Sequence, residues 1–589
     1  MTKRWITYLL TVLAALWLTG GALAQSLGDL LPAETFLAFG TSDLNGQTEK
    51  LQPFIDEFER LELGQALAAL FPEEGAETGG ESGGDLEADM TDLAAEFEGL
   101  GLLDLLGQEA WVALSASSFN PLPSLTLLAR LSPEASAKAA ELLAEATSQA
   151  GVESLSEGEY TFYQERLDDA EDSPVQVLAY AQADDLLALS TNPDTLRGVL
   201  RQLGGSGDPS FTASEGYAAT LGQLEPANFY SYLDYAQVAQ VVTPFAQTVG
   251  FPQLIERITQ AFETAGVSTG VVRVTDSGLE SEGLQALNRD GGDASLYALL
   301  STATPVDPAT ATLAPQDALA WTSATVDLQG WWDYLNEIAA AAPELGGSLD
   351  SMLGMFLGLD LRTTFFNWAG SSVTTVTTGV GEVAEPGVPS SNLLGDAVYI
   401  VAATDEAAAQ TGLDTLLQSV SGTVASFADP SGGAGNASTQ TEEIAGVTVN
   451  TFTITEGISL SYAVANGYAY IGTTQDGLRD VLEASAAASL QESDAFTRLT
   501  SEAPQDAGSL SVADNQATLS STAAQLVSQV QMMAGLGGAS ELDFEAVEAA
   551  SSKLEAFLQF VAERLGSSIG YAERSDGAIR GYSETQVTW

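Results

Sequence analysis

The feature that most constrains this chain is that it repeats itself. Leu31-Pro32-Ala33 is answered by Leu313-Ala314-Pro315, a shift of 282 residues. The same shift lays Leu196-Arg197-Gly198-Val199-Leu200 over Leu478-Arg479-Asp480-Val481-Leu482. Ser210-Phe211, Ser214 and Tyr217 fall on Ser489-Leu490, Ser493 and Phe496 at a shift of 279, and Tyr230 to Asp234 on Leu510 to Asp514 at 280. Matches that keep their order at a nearly constant offset predict a duplication. They divide the chain into a first copy over 25–301, a hinge over 302–312 containing Pro305 and Pro308, and a second copy over 313–589.

Local patterns inside each copy predict the same parts. Phe36 to Ser42 and Ala318 to Val326 read as opening strands, Ala110 to Ser115 alternates, and Leu125 to Arg130 is a more continuous apolar strand. Ser132 and Pro133 then start a helix, as an N-cap and a first-turn proline do. Thr404 to Gly422 repeats that helix, with Leu413, Leu416, Leu417 and Val420 as its apolar stripe. Val175 to Ala181 turns at Asp184-Asp185 into Leu186 to Ser190. Ile458 to Ala465 turns at Asn466-Gly467 into Tyr468 to Gly472, and Asn-Gly between alternating apolar runs is a strong hairpin signal. Hairpins interrupted by helices give an α+β class. The expected architecture is two diverged copies of an antiparallel sheet, each with helices packed on one face. Residues 73–89 (Gly- and Glu-rich) and 429–442 (Gly-, Ser- and Thr-rich) read as loop insertions within the copies.

Lys3 and Arg4, the apolar run Ile6 to Leu18 and the small-residue site Ala22-Leu23-Ala24 have the layout of a cleavable secretory signal over 1–24. The expected location is therefore periplasmic or extracellular. No later stretch is long and apolar enough to span a bilayer. The chain has 80 acidic but only 19 basic residues, a formal charge of −61. That balance disfavours nucleic acid and anionic headgroups and favours cations or basic partners. With no cysteine, burial alone holds the fold, and with no histidine the usual neutral-pH base and the commonest zinc ligand are missing.

Leu31-Pro32-Ala33-Glu34-Thr35 at the opening, Trp368-Ala369-Gly370 before a strand, and the small-residue hairpin leading into a helix over Val175 to Leu203 recur in one group of proteins. On these motifs the chain resembles the bacterial exported proteins grouped as the DUF3352 domain of unknown function. The resemblance covers most of the chain after the signal, although the first copy has Leu105-Leu106-Gly107 in place of the tryptophan motif. It implies the fold and brings no activity, cofactor or catalytic residue with it.

The residues themselves point away from catalysis. Gly566-Ser567-Ser568-Ile569-Gly570 fits a nucleophile pattern but runs from helix to strand and has no histidine partner. Neither a Ser-x-x-Lys motif nor a Gly-Lys phosphate loop occurs. Asn288-Arg289-Asp290-Gly291-Gly292-Asp293 gathers oxygen ligands suited to weak calcium binding, without the spacing of an EF-hand loop. What stands out is apolar: Met352, Met355 and Phe356 in one stretch, Met532 and Met533 in another, and Trp331 with Trp332. Flexible thioethers suit surfaces that adapt to varied apolar partners. The expectation is an exported, non-enzymatic envelope protein with no cofactor, whose groove holds a lipid or other hydrophobic ligand. The alternatives are a structural or protein-interaction component with an envelope protein partner and, last, a carboxylate-dependent hydrolase.

Overall fold

The computed structural model describes residues 26–61, 63, 108–116, 123–147, 151–166, 177–207, 209–246, 251–302, 304–342, 347–379, 395–428, 438–455, 458–484, 489–520 and 544–589. Residues 1–24, read as a secretory signal, and residues 73–89, read as a loop insertion, lie outside these residues. In the first half, β1 (Thr35–Ser42), α1 (Thr48–Arg60), β2 (Glu109–Ser115), β3 (Ser124–Arg130) and α2 (Pro133–Ala146) lead into β4 (Val152–Glu157), β5 (Tyr160–Arg166), β6 (Val177–Ala183) and β7 (Leu186–Ser190). Next come α3 (Pro193–Leu203), β8 (Phe229–Asp234), α4 (Tyr235–Ala246), α5 (Pro252–Ala265), β9 (Val267–Val274), β10 (Gly278–Ala286) and α6 (Ala294–Ser301).

The second half runs β11 (Ala320–Thr325), α7 (Leu328–Ala340), α8 (Leu349–Leu357), β12 (Ala369–Gly379), β13 (Asp396–Ala403), α9 (Glu406–Ala428), β14 (Ser438–Ile444), β15 (Val447–Thr455), β16 (Ile458–Ala465) and β17 (Tyr468–Gly472). It closes with α10 (Gln475–Glu483), α11 (Asp494–Glu502), β18 (Ser509–Asp514), α12 (Phe544–Ala562), β19 (Leu565–Ser575) and β20 (Ala578–Val587).

All strand pairings are antiparallel and form one unbranched path. It reads β4-β5-β6-β7-β3-β2-β1-β8-β9-β10, then β20-β19-β18-β11-β12-β13-β17-β16-β15-β14. The halves join where β10 lies along β20, with Glu282 opposite Tyr582 at the centre. Leu287 N–H donates to Gly577 O (2.8 Å), and Val587 N–H donates to Ser277 O (3.1 Å). These two bonds join residues 290 and 310 positions apart in the sequence.

The small parts behave as the sequence predicts. Asn466 (φ 53°) and Gly467 (φ 81°) both take left-handed backbone, the conformation of a two-residue hairpin turn whose twist matches its strands. Asn192 accepts from Asp194 N–H at 2.9 Å, with Pro193 at the first position of α3, and Thr474 caps α10 in the same way. Phe211 N–H donates to Leu31 O (2.8 Å) and Leu490 N–H to Ala314 O (3.0 Å), so each opening motif is pinned to the backbone of a buried residue far along the chain.

The helices differ from expectation, because they cover both faces of the sheet. Trp111 and Ala113 point into one core with α3, whereas Ala110 and Val112 point into another with α1 and α2. In the second half, Val398 and Ile400 meet α10 and α11 on the front, while Val401 and Ala469 meet α9 on the back. Strands buried on both sides read as continuous apolar runs rather than clean alternation, as Leu125 to Arg130 does. Two other expectations are corrected. Ser438 to Glu442, read as the end of a loop, belongs to β14 and pairs with β15. The hinge over 302–312 contains a 3-10 turn, Pro308–Leu313, with Val306, Thr310 and Ala311 buried in the second half's front core. The apolar members of that segment supply the burial that a free hinge lacks.

Candidate functional site

On the back of the sheet, α4 packs on α5, α5 on α7, and α7 on α8. This helical layer crosses from the first half to the second and contains most of the residues singled out from sequence. Asp327 caps α7 by accepting from Gly330 N–H (2.8 Å), and Ser348 caps α8 by accepting from Ser351 N–H (3.2 Å). Gly358, at φ 64°, ends α8 in left-handed backbone.

A carboxylate fastens the α7–α8 hairpin. Asp350 accepts from Trp332 Nε1 (2.9 Å), Asn336 Nδ2 (2.9 Å) and Arg362 Nε (3.2 Å), while its own N–H donates to Asn336 Oδ1 (3.0 Å). Arg362 also reaches Asp333 at 2.6 Å, and the two carboxylates hold its guanidinium above its usual range. The Trp332 ring tilts against Phe366 with centroids 5.7 Å apart. Trp332 is thus a fastener between elements, and Trp331 packs edge-on against Tyr334 at 6.0 Å. Sequence reasoning missed Asp350 and Arg362. The available signal was the rarity of bases: with only 19 in the chain, each one marks a carboxylate worth locating.

Met352 is half-buried on α8, and Met355 is 71% exposed. Leu335 on α7 is 45% exposed, Ile258 on α5 40% and Val242 on α4 47%. These four make up nearly all the exposed large apolar side chains among the described residues, Tyr399 on β13 being the other. The structure therefore brings Trp331, Trp332, Met352 and Met355 onto one helical hairpin. Met532 and Met533 lie outside the described residues, as does the side chain of Phe356.

The remaining sequence candidates have structural partners. Ser568 donates to Asn515 Oδ1 (3.4 Å), a side chain that cannot serve as its base. Asp293, from the turn considered for calcium, is buried and caps α6 by accepting from Leu296 N–H (2.9 Å). No cluster of three or more acidic side chains among the described residues has metal-holding geometry.

A family model described as "Protein of unknown function (DUF3352)" matches residues 106–542. No curated protein matches the chain. Two solved structures show a weak likeness. The structure of crystal form III of TP0453 has 12% identity and a TM-score of 0.23, covering 48% of this chain and 89% of its own. Crystal form I of TP0453 has 12% identity and a TM-score of 0.21, covering 49% and 88%. Likenesses of that size carry no argument about fold or ligand.

Proposed function

The chain belongs to the DUF3352 family of proteins of unknown function, and from that premise we propose that it acts outside the cytoplasm by binding an apolar partner and not by catalysis. One observation carries this reading. Four exposed large apolar side chains, Val242, Ile258, Leu335 and Met355, occupy successive packed helices of one layer that spans both halves. Exposed apolar side chains gathered on packed neighbouring helices are a usual mark of an interaction site. Met355 at the tip of α8 gives that surface an adaptable contact.

The occupant we favour is the acyl portion of a neutral or zwitterionic lipid. A net charge of −61 opposes approach to an anionic membrane, so apolar contact rather than headgroup attraction must drive the association. In the same reading the chain is a duplicated α+β unit. Support comes from the matching order of pairings in the two halves, the joint built from both C-terminal strands, and the equivalent caps at Ser214 and Ser493.

The test is flotation of the purified full chain with phosphatidylcholine vesicles, comparing the native protein with the double variant Leu335→Asp, Met355→Asp. Both positions are exposed, so circular dichroism should be unchanged while vesicle binding falls at least tenfold. Equal binding by the two proteins would overturn the assignment of this surface.

A further inference from the structure

Within the helical layer, α8 is apolar in sequence but unburied in place. Leu349, Met352, Leu353, Met355 and Leu357 are all left half-buried or exposed, although the helix packs on α7 and α9. What fastens it is polar. Asp350, its one charged residue, accepts from Trp332 Nε1 (2.9 Å) and Asn336 Nδ2 (2.9 Å) of α7 and from Arg362 Nε (3.2 Å). Its N–H donates to Asn336 Oδ1 (3.0 Å). The Asp350 and Arg362 side chains are 32% and 42% exposed, so water weakens their pairing.

Both ends of α8 are built to turn. Gly347 (φ 81°) and Gly358 (φ 64°) bracket it in left-handed backbone, and a Cβ at either position would meet nothing within 4 Å. Beyond these glycines the chain is anchored, because Ala342 and Leu359 are buried. Hinges are commonly a few small residues at the ends of elements. A helix held by burial resists release, since returning each large apolar side chain to water is unfavourable. For α8 that resistance is small: its apolar side chains already meet water, and an acyl layer would cover them.

We propose that α8 is a flap released on contact with lipid. The Asp350 latch opens, the helix turns about Gly347 and Gly358, and Met352, Met355 and Leu357 enter the acyl layer while α7 stays in place. This regulation rests on the lipid reading of the same surface. In water the latch holds the apolar helix down, and a lipid surface draws it out.

The chain has no cysteine, so Asn336→Cys with Asp350→Cys gives a unique thiol pair across the latch. The full-length double variant is floated with phosphatidylcholine vesicles before and after its thiols are joined by a short, reducible bismaleimide. Circular dichroism checks that the fold is unchanged. Uncrosslinked, the variant lacks the latch and should bind about two- to fivefold more tightly than the native chain, the fold-change that partly exposed polar contacts carry. Crosslinking removes the open flap, so binding should fall by about tenfold or more and return on reduction. Asp350→Asn, a smaller change, should tighten binding by about twofold. Equal binding before and after crosslinking, or no gain in either latch variant, would overturn the flap alone. No vesicle binding by the native chain would overturn the lipid reading as well.

Discussion

Glu280 and Glu584 stand directly opposite each other across the β10–β20 joint, two like charges in antiparallel register. Arg273 lies opposite Glu280 on the other side and pairs with Glu282 at 3.1 Å. Arg498 approaches Glu584 only to 4.0 Å. Burial, followed by the charges of Glu584 and Glu280, raises the Glu502 carboxyl above its ordinary value. Burial and the same group of carboxylates push the Tyr582 phenol up to about 12. The front of the joint is thus held by its backbone ladder against its own side-chain charge.

Removing one of the opposed charges should stabilise the protein. Like charges directly across a sheet cost about 0.2–1 kcal/mol, and Glu280→Gln should recover an amount in that range. The gain should shrink as salt is added, since these groups are only partly buried. The pH dependence has a definite sign. Glu502 binds its proton more tightly folded than unfolded, so its penalty is fully present above its folded pKa. That penalty fades as pH falls through the folded pKa and is gone below the unfolded value. Thermal unfolding of the native chain and of Glu502→Gln should therefore converge toward acid pH, with the native chain the less stable at neutral pH. Parallel curves would show that the charge cluster does not act on stability.

Glu109 is the opposite case, a buried carboxylate surrounded by donors. It is 5% exposed and accepts from Leu27 N–H (2.6 Å), Ser26 Oγ (2.9 Å) and Trp111 Nε1 (3.0 Å), tying the first turn of the described chain to β2. Burial outweighs those donors and raises its pKa, so a neutral isostere fits the site better than an apolar one. Glu109→Gln should lose about 1 kcal/mol or less, while Glu109→Leu strands three buried donors and should lose about 3–5 kcal/mol. Chemical denaturation of the two variants checks the ordering.

Gly412 in α9 admits no side chain. A Cβ there would sit 2.0 Å from Thr364 O and 2.7 Å from Trp368 Nε1, the two atoms that form a 2.8 Å hydrogen bond to each other. Trp368 is fully buried, and its indole anchors the back core of the second half. Gly412→Ala must separate α9 from this turn and should destabilise by about 2–3 kcal/mol, in the range of overpacked cores. Near-ultraviolet circular dichroism would report the displaced tryptophan, and an unperturbed spectrum with unchanged stability would refute the packing argument.

Much of this fold is legible residue by residue. Asn466-Gly467 announces its hairpin and Asn192-Pro193 its helix. The strands that escape notice are polar on both sides. Val152 to Glu157 and Ser438 to Ile444 carry too few apolar residues to show a period, and as the two ends of the sheet path they have little to bury. The joint is illegible for a different reason. The residues on its back, Gly270, Ser281, Gly283, Gly570, Gly581 and Ser583, carry no hydrophobic signal, and only the backbone ladder selects their partners. As for the candidate site, sequence marks Met355 and Trp332 by residue type but cannot show that one is exposed and the other fastened to Asp350.

Trp589 supplies the last prediction. Following an alternating strand, a terminal aromatic resembles the end of an outer-membrane barrel strand, but here it has another partner. Its Nε1 donates to Thr275 O in the first half (2.9 Å), and its ring meets Phe54 of α1 edge-on at 6.1 Å. Phe54 in turn meets Phe560 of α12 at 5.7 Å, so a residue from one half is clasped between two from the other. Edge-on aromatic pairs add about 0.5–1.5 kcal/mol beyond the area they bury. Trp589→Ala and Phe54→Ala should therefore each destabilise the chain, and the double variant should lose less than the sum by about that amount. Hydrogen exchange should localise the effect: α1, β10 and β20 would open faster in Trp589→Ala, while β4 to β7, remote from the joint, keep native protection. Uniform acceleration along the whole chain would mean that Trp589 contributes to global stability without clasping the halves together.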